Sequence, residues 1–442
     1  MIMSKMNQFI QIKGWVIGLS LFHLFTFSPL HAQKYVGGDI SLLPTYEEHG
    51  ANYMDQNGNK ITNMLQFLKN QGMNAMRVRL FVDPSLASDK AKGQGVRQDL
   101  EYVKKLGKCI KDAGLFFMLD FHYSDTWADP GQQTAPFGWL IYSWFPEQTF
   151  YKYTKESLEA LVAAGAAPDF IQTGNEISFG MHWGYTNDKE GYVDLGPFSG
   201  KLEANSAWTA YTDKNWDNFS KYLKYAGQAC REVCPEAKII IHTEQCANNP
   251  TLDVAFFKRI EDNEIDYDII GTSYYPYYKG PISNLDKGLT QLEKYFPDKK
   301  IMVVETGCGY HYKMGDKETG YPLTYEGQRN FTADLVSMLN NHQNVNGLFW
   351  WFLEANEYGL DWNTKRVTDG WYNASLFDNE TGRALPALYE LKNFANGSSG
   401  IQAIFTDGLL DKNWYSLDGQ HLSKKPTKKG IYIHHLQKIM IR

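Results

Sequence analysis

The sequence predicts an α/β chain, a (β/α)8 barrel of the TIM type with a short C-terminal β-type tail. Three observations carry that prediction. Eight β-rich apolar runs alternate with amphipathic stretches over most of the 442 residues, the pattern of a parallel sheet covered by helices. Each run finishes on a residue capable of chemistry, whereas starts such as "NAM", "LFF" and "KIM" carry little. In a closed barrel all the C-terminal strand ends open onto one mouth. No Gly-rich phosphate fingerprint follows the first run, which removes the main support for an open doubly wound sheet.

The runs, in order, are "KYVGGDISL", "NAMRVRLF", "LFFMLDFH", "DFIQTGNE", "KIIIHTE", "YDIIGTSYY", "KIMVVETG" and "NGLFWWF". Their final residues include Asp39, Arg79, Asp120 with His122, Glu176, His242 with Glu244, Tyr274, Glu305 and Trp351. Between them, "ITNMLQFLKNQG", "QDLEYVKKLGKCIKDAG", "ESLEALVAAG" and "WDNFSKYLKYAGQACREV" repeat apolar residues at three and four spacing, as do the later "TLDVAFFKRIED", "GLTQLEKYF" and "YEGQRNFTADLVSMLNNH". That spacing puts one apolar face on a helix. Gly72, Gly114 and Gly165 close three of these stretches as helix stops. After "NGSSG" the composition shifts, and the tail reads as a hairpin or short β segment with basic punctuation, either an appendage or a sorting or anchoring element.

At the other end, Lys5 and Lys13 precede "GWVIGLSLFHLFTF" and "SPLHAQ", an export signal with a small residue at Ala32 for cleavage. The expected organisation is therefore 1–32 signal, 33–396 catalytic barrel, and 397–442 linker and tail. The apolar run is short for a membrane span, and no later stretch reaches about 18 apolar residues. An exported protein, periplasmic, cell-surface or extracellular and without a membrane-spanning segment, is the expectation. A formal charge of −6 with thinly spread Lys and Arg gives no stripe for nucleic acid. Five scattered cysteines, in no metal-binding or CxxC spacing, read as buried free thiols. The 12 Trp, 28 Tyr and 25 Phe exceed what a core of this size needs, and flat sugar faces are one use for the excess.

The most pointed feature is that two strand ends deliver an acid. "FIQTGNE" places Asn175 and Glu176 at the fourth end, and "VVETG" places Glu305 at the seventh. One such Glu alone is more often a salt-bridge partner. Two at one mouth are what glycosidic cleavage needs, one to protonate the leaving oxygen and one to attack the anomeric carbon or activate water.

With these residues, "TGNEI", "ETG", the third-strand "DFHYSDTWADPGQQTAP" and the first-strand "GGDISLLPTYEEHGA" resemble glycoside hydrolase family 53, the endo-β-1,4-galactanases of clan A. The resemblance covers roughly Lys34 to Ala395, and the third-strand motif is its most specific part. It implies a retaining enzyme acting on β-1,4-galactan or type I arabinogalactan, with Glu176 as acid/base and Glu305 as nucleophile. Tyr274 is then expected to hydrogen-bond the nucleophile and Arg79 to favour its charged form. Asn175 is placed for the sugar 2-hydroxyl. Asp39, Asp120, His122, Asp125 and His242 are expected in supporting or substrate-binding roles, with a satisfied core residue the alternative reading for either His. Trp351 and Trp127 are the expected stacking platforms, with Trp139 and Trp183 either platforms or loop packing. The long insert after the fourth strand, with its Trp and Tyr residues, is a candidate extension of the cleft.

Some bacterial members carry a calcium loop after the seventh strand. Here "CGYHYKMGDKETGYPLTYEG" holds Asp316 and Glu318 without oxygen ligands at calcium-loop spacing. No metal or other cofactor is assigned, with calcium left open, and a monomer is expected. Two other readings stand beside the first: a clan A hydrolase for a β-1,4-mannan, xylan or glucan, and a catalytically silent sugar-binding barrel. Binding alone needs neither Glu176 nor Glu305, which weighs against the second.

Overall fold

The computed structural model describes residues 33–140, 146–187, 191–361, 363–368, 370, 372–395, 414–416, 421–422, 424–434 and 437–441. The expected export signal and the "NGSSG" junction lie outside the described residues. Eight parallel strands close a barrel: β1 Tyr35–Asp39, β2 Ala75–Leu80, β3 Phe116–Phe121, β4 Phe170–Thr173, β5 Lys238–Thr243, β6 Ile269–Tyr274, β7 Lys300–Thr306 and β8 Val345–Trp350. Each pairs with its sequence neighbours, and β1 closes the ring against β8. All eight predicted runs are barrel strands.

Helices cover the outside for the reason their spacing suggested. In Leu100–Asp112 the residues Val103, Leu106 and Ile110 are buried, and the N-cap carboxylate of Asp99 accepts a hydrogen bond from the Tyr102 backbone N–H. Helices Pro146–Ala163 and Trp216–Val233 pack on each other beside β4.

Side chains alternate in and out along each strand, and the inward ones form layers. The lowest is apolar: Ala75, Met118, Phe170, Ile240, Met302 and Phe349 make one buried cluster. Two residues further along the same strands stand Arg77, Asp120, Gln172 and His242, all buried. Close packing makes some glycines obligatory. A Cβ on Gly37 of β1 would lie 1.6 Å from the Ala75 carbonyl oxygen of β2.

The strands Trp414–Ser416, His421–Leu422, Gly430–His434 and Gln437–Ile441 form a four-stranded antiparallel sheet, so the expected β-type tail is present and larger than a hairpin. All five cysteines are free. Cys230, Cys234, Cys246 and Cys308 are buried, but Cys109 is exposed, because it falls on the outer face of its helix. Among the described residues no helix is long and apolar enough to cross a membrane.

Candidate active site

A cavity of about 440 Å³ opens at the C-terminal ends of the strands, walled by Trp127, Asn175, Glu176, Glu244, Tyr275, Tyr278, Lys279, Glu305 and Trp351 among others. Two local backbone features deliver the acids. After β4 the chain turns through Gly174 at φ +105°, where a Cβ would press to 2.8 Å from Ile177. Glu176 itself takes φ +48°, a conformation that costs a non-glycine residue about 1 to 3 kcal/mol and is found where function holds it.

Glu305 reaches the cavity by a different device. Met302 and Val304 both face the apolar inner cluster, so strict alternation would turn Glu305 outward. Thr272 pairs with Val303 but Ser273 pairs with Glu305, an extra residue in β7, and the same irregularity shows against β8. Such a bulge re-aims the following side chain, and Glu305 is brought inward.

The surroundings of the two carboxylates differ. Arg77 Nη2 stands 2.9 Å from Glu305 Oε1, and Tyr275 donates its hydroxyl to Oε2 at 2.8 Å. Arg77 also touches Asp39 at 3.1 Å and Asp120 at 2.7 Å, and it donates to Asn175 Oδ1 at 2.9 Å. Burial pushes Glu305 upward, while Arg77 and the Tyr275 hydroxyl pull it back. Glu176 is pushed well above the usual carboxylate range by burial first, then by the charges of Glu305 and Glu244, against weaker relief from Ser273 and Lys279. With the cation and the hydroxyl donor directly on it, Glu305 is the more readily ionised of the two.

Glu176 is positioned from behind. His242 Nε2 lies 2.8 Å from Ser273 Oγ, and His242 Nδ1 lies 3.3 Å from the Glu176 backbone nitrogen and 3.0 Å from Asn175 Oδ1. Burial holds His242 neutral, well below the ordinary imidazole range. The third-strand motif wraps the same segment. Ala128 accepts from Asn175 Nδ2 at 2.8 Å, Gln133 Nε2 donates to the Asn175 carbonyl at 2.8 Å, and His122 Nδ1 accepts from Ala128 N–H at 3.1 Å. The peptide around the acid is thus fastened to the loop after β3.

Of the residues singled out in the sequence, Glu176, Glu305, Asn175, Trp127 and Trp351 line the cavity. Asp39, Arg79, Asp120, His122 and His242 stand behind it. His122 Nε2 is 3.0 Å from Asp120. Asp125 accepts backbone N–H groups from Asp83 and Phe137 and so braces two loops.

Two expectations are corrected. Tyr274 does not meet Glu305: its side chain points out of the barrel, and its hydroxyl donates to the Gly280 carbonyl at 2.8 Å. The adjacent Tyr275 has the inward parity and makes that contact. Arg79 does not contact Glu305. Its nearest acid is Asp39 at 3.3 Å, and its guanidinium lies 4.8 Å from the ring centres of both Trp127 and Trp351. Arg77, two residues deeper on the same face, holds the carboxylate. Trp139 and Trp183 are both buried and absent from the cavity wall, and Trp139 packs on Tyr123, Phe150 and Tyr153. The sequence reading missed Arg77, Tyr275, Ser273, Tyr278 and Lys279. Period-two counting from Arg79 along β2 was the signal available for Arg77.

Asp316 and Glu318, the acids considered for calcium, ion-pair with Lys317 and Lys313. Among the described residues no three or more His, Cys, Asp or Glu side chains are grouped to hold a metal.

Comparison with known proteins agrees with this geometry. Residues 35–391 match the family model Glycosyl hydrolase family 53. An endo-beta-1,4-galactanase of Bacillus subtilis is 26% identical over 394 residues, 80% of this chain and 84% of the relative. A probable arabinogalactan endo-beta-1,4-galactanase A of Aspergillus tubingensis is 30% identical over 339 residues, 72% and 85% of the two chains. The solved catalytic domain of an Ignisphaera aggregans family 53 protein superposes with TM-score 0.69 at 29% identity, covering 83% of this chain and 98% of that one. The chain therefore belongs to glycosyl hydrolase family 53 and is a glycoside hydrolase.

Proposed function

We propose that the enzyme cleaves internal β-1,4-galactosidic bonds of galactan or type I arabinogalactan, the galactan side chains of pectin, with retention of configuration. The observation that carries the mechanism is the asymmetry of the two carboxylates in one cavity: burial and negative neighbours push both upward, but Glu305 has the Arg77 cation and the Tyr275 hydroxyl directly on it. Opposed environments assign the acid and the nucleophile. In the first step the Glu305 carboxylate attacks the anomeric carbon, the glycosidic C–O bond breaks, and the proton on Glu176 passes to the leaving oxygen. A glycosyl ester on Glu305 results. In the second step Glu176, now ionised, takes a proton from water, the water oxygen attacks the same carbon, and Glu305 leaves as carboxylate.

Substrate choice rests on the relatives, whose names specify galactan and arabinogalactan. Export follows from the leading "GWVIGLSLFHLFTF" with its basic flank. The reading is tested by incubating the enzyme with galactan, β-mannan, xylan and cellulose and measuring new reducing ends. Release from galactan alone is expected. Release from mannan, xylan or cellulose but not galactan moves the enzyme to another substrate, and no release from any of the four leaves a sugar-binding barrel.

A further inference from the structure

The catalytic cavity does not stop at Trp127. Gln94 and Trp127 also wall a second, larger groove of about 790 Å³, whose other sides come from the loops after β2 and β3 and from Tyr185 after β4. We propose that this groove is a second stretch of the substrate cleft, holding galactosyl units remote from the scissile bond, with Phe137 as its stacking platform. The inference rests on the galactan reading above and extends it.

The occupant follows from continuity, because a polymer lying over Trp127 in the catalytic cavity has the groove as its next covered surface. Phe137 and Leu86 are the most exposed large apolar residues there, at 55% and 54%. An exposed ring beside polar side chains suits a sugar, which offers apolar C–H faces and a rim of hydroxyls. Asp89, Lys90 and Gln132 supply polar groups around it.

The platform is also held in place. The Phe137 backbone N–H donates to Asp125 Oδ2 at 2.8 Å, and the Asp83 N–H donates to Asp125 Oδ1 at 3.0 Å. One buried carboxylate therefore ties together the loops after β2 and β3 that wall the groove. Loops fastened this way lose little further freedom when a chain settles between them. Asp125 is on this account a positioning residue, acting through Phe137 and Asp83.

The test compares the ratio of kcat/KM on polymeric galactan to kcat/KM on galactotriose for the unmodified enzyme, Phe137→Ala and Phe137→Trp. Remote binding is spent on the reacting bond, so Phe137→Ala should lower that ratio by about two- to tenfold, the scale of one aromatic contact, and Phe137→Trp should restore it. An unchanged ratio in Phe137→Ala overturns the assignment, as does a loss that Phe137→Trp fails to reverse while the circular dichroism spectrum is unaltered. If the unmodified enzyme hydrolyses neither substrate, the galactan reading fails and the groove assignment fails with it.

Discussion

The barrel interior holds two layers built by the same strands, two residues apart, and they obey different rules. Below, Ala75, Met118, Phe170, Ile240, Met302 and Phe349 fill space with apolar atoms. Above, Arg77 ties Asp39, Asp120 and Glu305 together, and Asp120 receives His122 and Gln172. The lower layer stabilises by burial, about 25 cal/mol for each Å² of apolar surface removed from water. The upper layer is costly to bury and gains little net stability from its ion pairs. What it obtains is a fixed electrostatic field at the mouth, with Arg77 beside one carboxylate and not the other. A layer retained at such cost identifies where function sits.

The comparison is broken most severely by the two acids themselves. Glu305→Gln and Glu176→Gln should each lower kcat on galactan by about 10²- to 10⁴-fold or more while leaving the melting temperature within a few degrees, because both groups sit at the open end of the upper layer. A large fall in melting temperature with either variant would mean that the acid is structural.

Next come the layers side by side. Met302→Ala should cost about 2 to 5 kcal/mol of stability and leave the shape of the pH–rate profile unchanged. Arg77→Met should cost about 3 to 5 kcal/mol by leaving buried carboxylates uncompensated, and it should also move the acid limb of kcat/KM to higher pH. The sign follows from the charge: without the cation, the ionised form of Glu305 is less favoured and its pKa rises. Urea titration and pH profiles of the two variants separate packing from field. An acid limb that stays in place in Arg77→Met would remove Arg77 from the account.

A finer contrast lies within β6 and the residue that follows it. Tyr275→Phe removes the hydroxyl donor to Glu305 and should lower kcat/KM by about tenfold to a hundredfold, the worth of about 1.5 to 3 kcal/mol for a hydrogen bond to a charged group, with the acid limb again moving up. Tyr274→Phe, one residue earlier and facing outward, should cost about 1 kcal/mol of stability and leave that limb alone. Equal pH behaviour in both variants would contradict the assignment by parity.

The smallest effect concerns a group outside both layers. His182 is buried among Trp139, Phe150 and Tyr222 with no partner for either ring nitrogen among the described residues, and burial holds it neutral down to about pH 3. Its folded-state pKa lies below the unfolded value near 6.5, so the unfolded chain takes up the proton first. Stability is full above pH 6.5 and falls with further acidification, by about 2 kcal/mol at pH 5. In His182→Leu that part of the loss should disappear from denaturation midpoints measured between pH 7 and 5. An unchanged slope would show that other groups govern acid stability.

Much of this was legible in the sequence for a physical reason. Eight buried strands alternating with one-sided helices leave a strong periodic trace, and acids closing two apolar runs stand out against it. What stayed hidden depends on single-residue parity. Tyr274 and Tyr275 are adjacent and chemically identical, so only the facing of β6 distinguishes them. Arg77 and Arg79 share a face, and depth in the barrel decides which reaches Glu305. The bulge at Val304 has no compositional mark, yet without it Glu305 would point into the helices. Trp139 and Trp183 show the converse, since aromatic residues in loops near a mouth serve as packing as readily as platforms.

The central claim, that the field around Arg77 makes Glu305 the nucleophile and leaves Glu176 the proton donor, is tested most directly by azide rescue of Glu176→Ala. The variant is incubated with dinitrophenyl β-galactobioside, whose leaving group needs no proton, and sodium azide, and the anomeric configuration of the product is read by proton NMR. The account predicts β-galactobiosyl azide, because azide attacks an ester already formed on Glu305. An α-azide would mean that Glu176 had been the nucleophile, and would contradict the assignment.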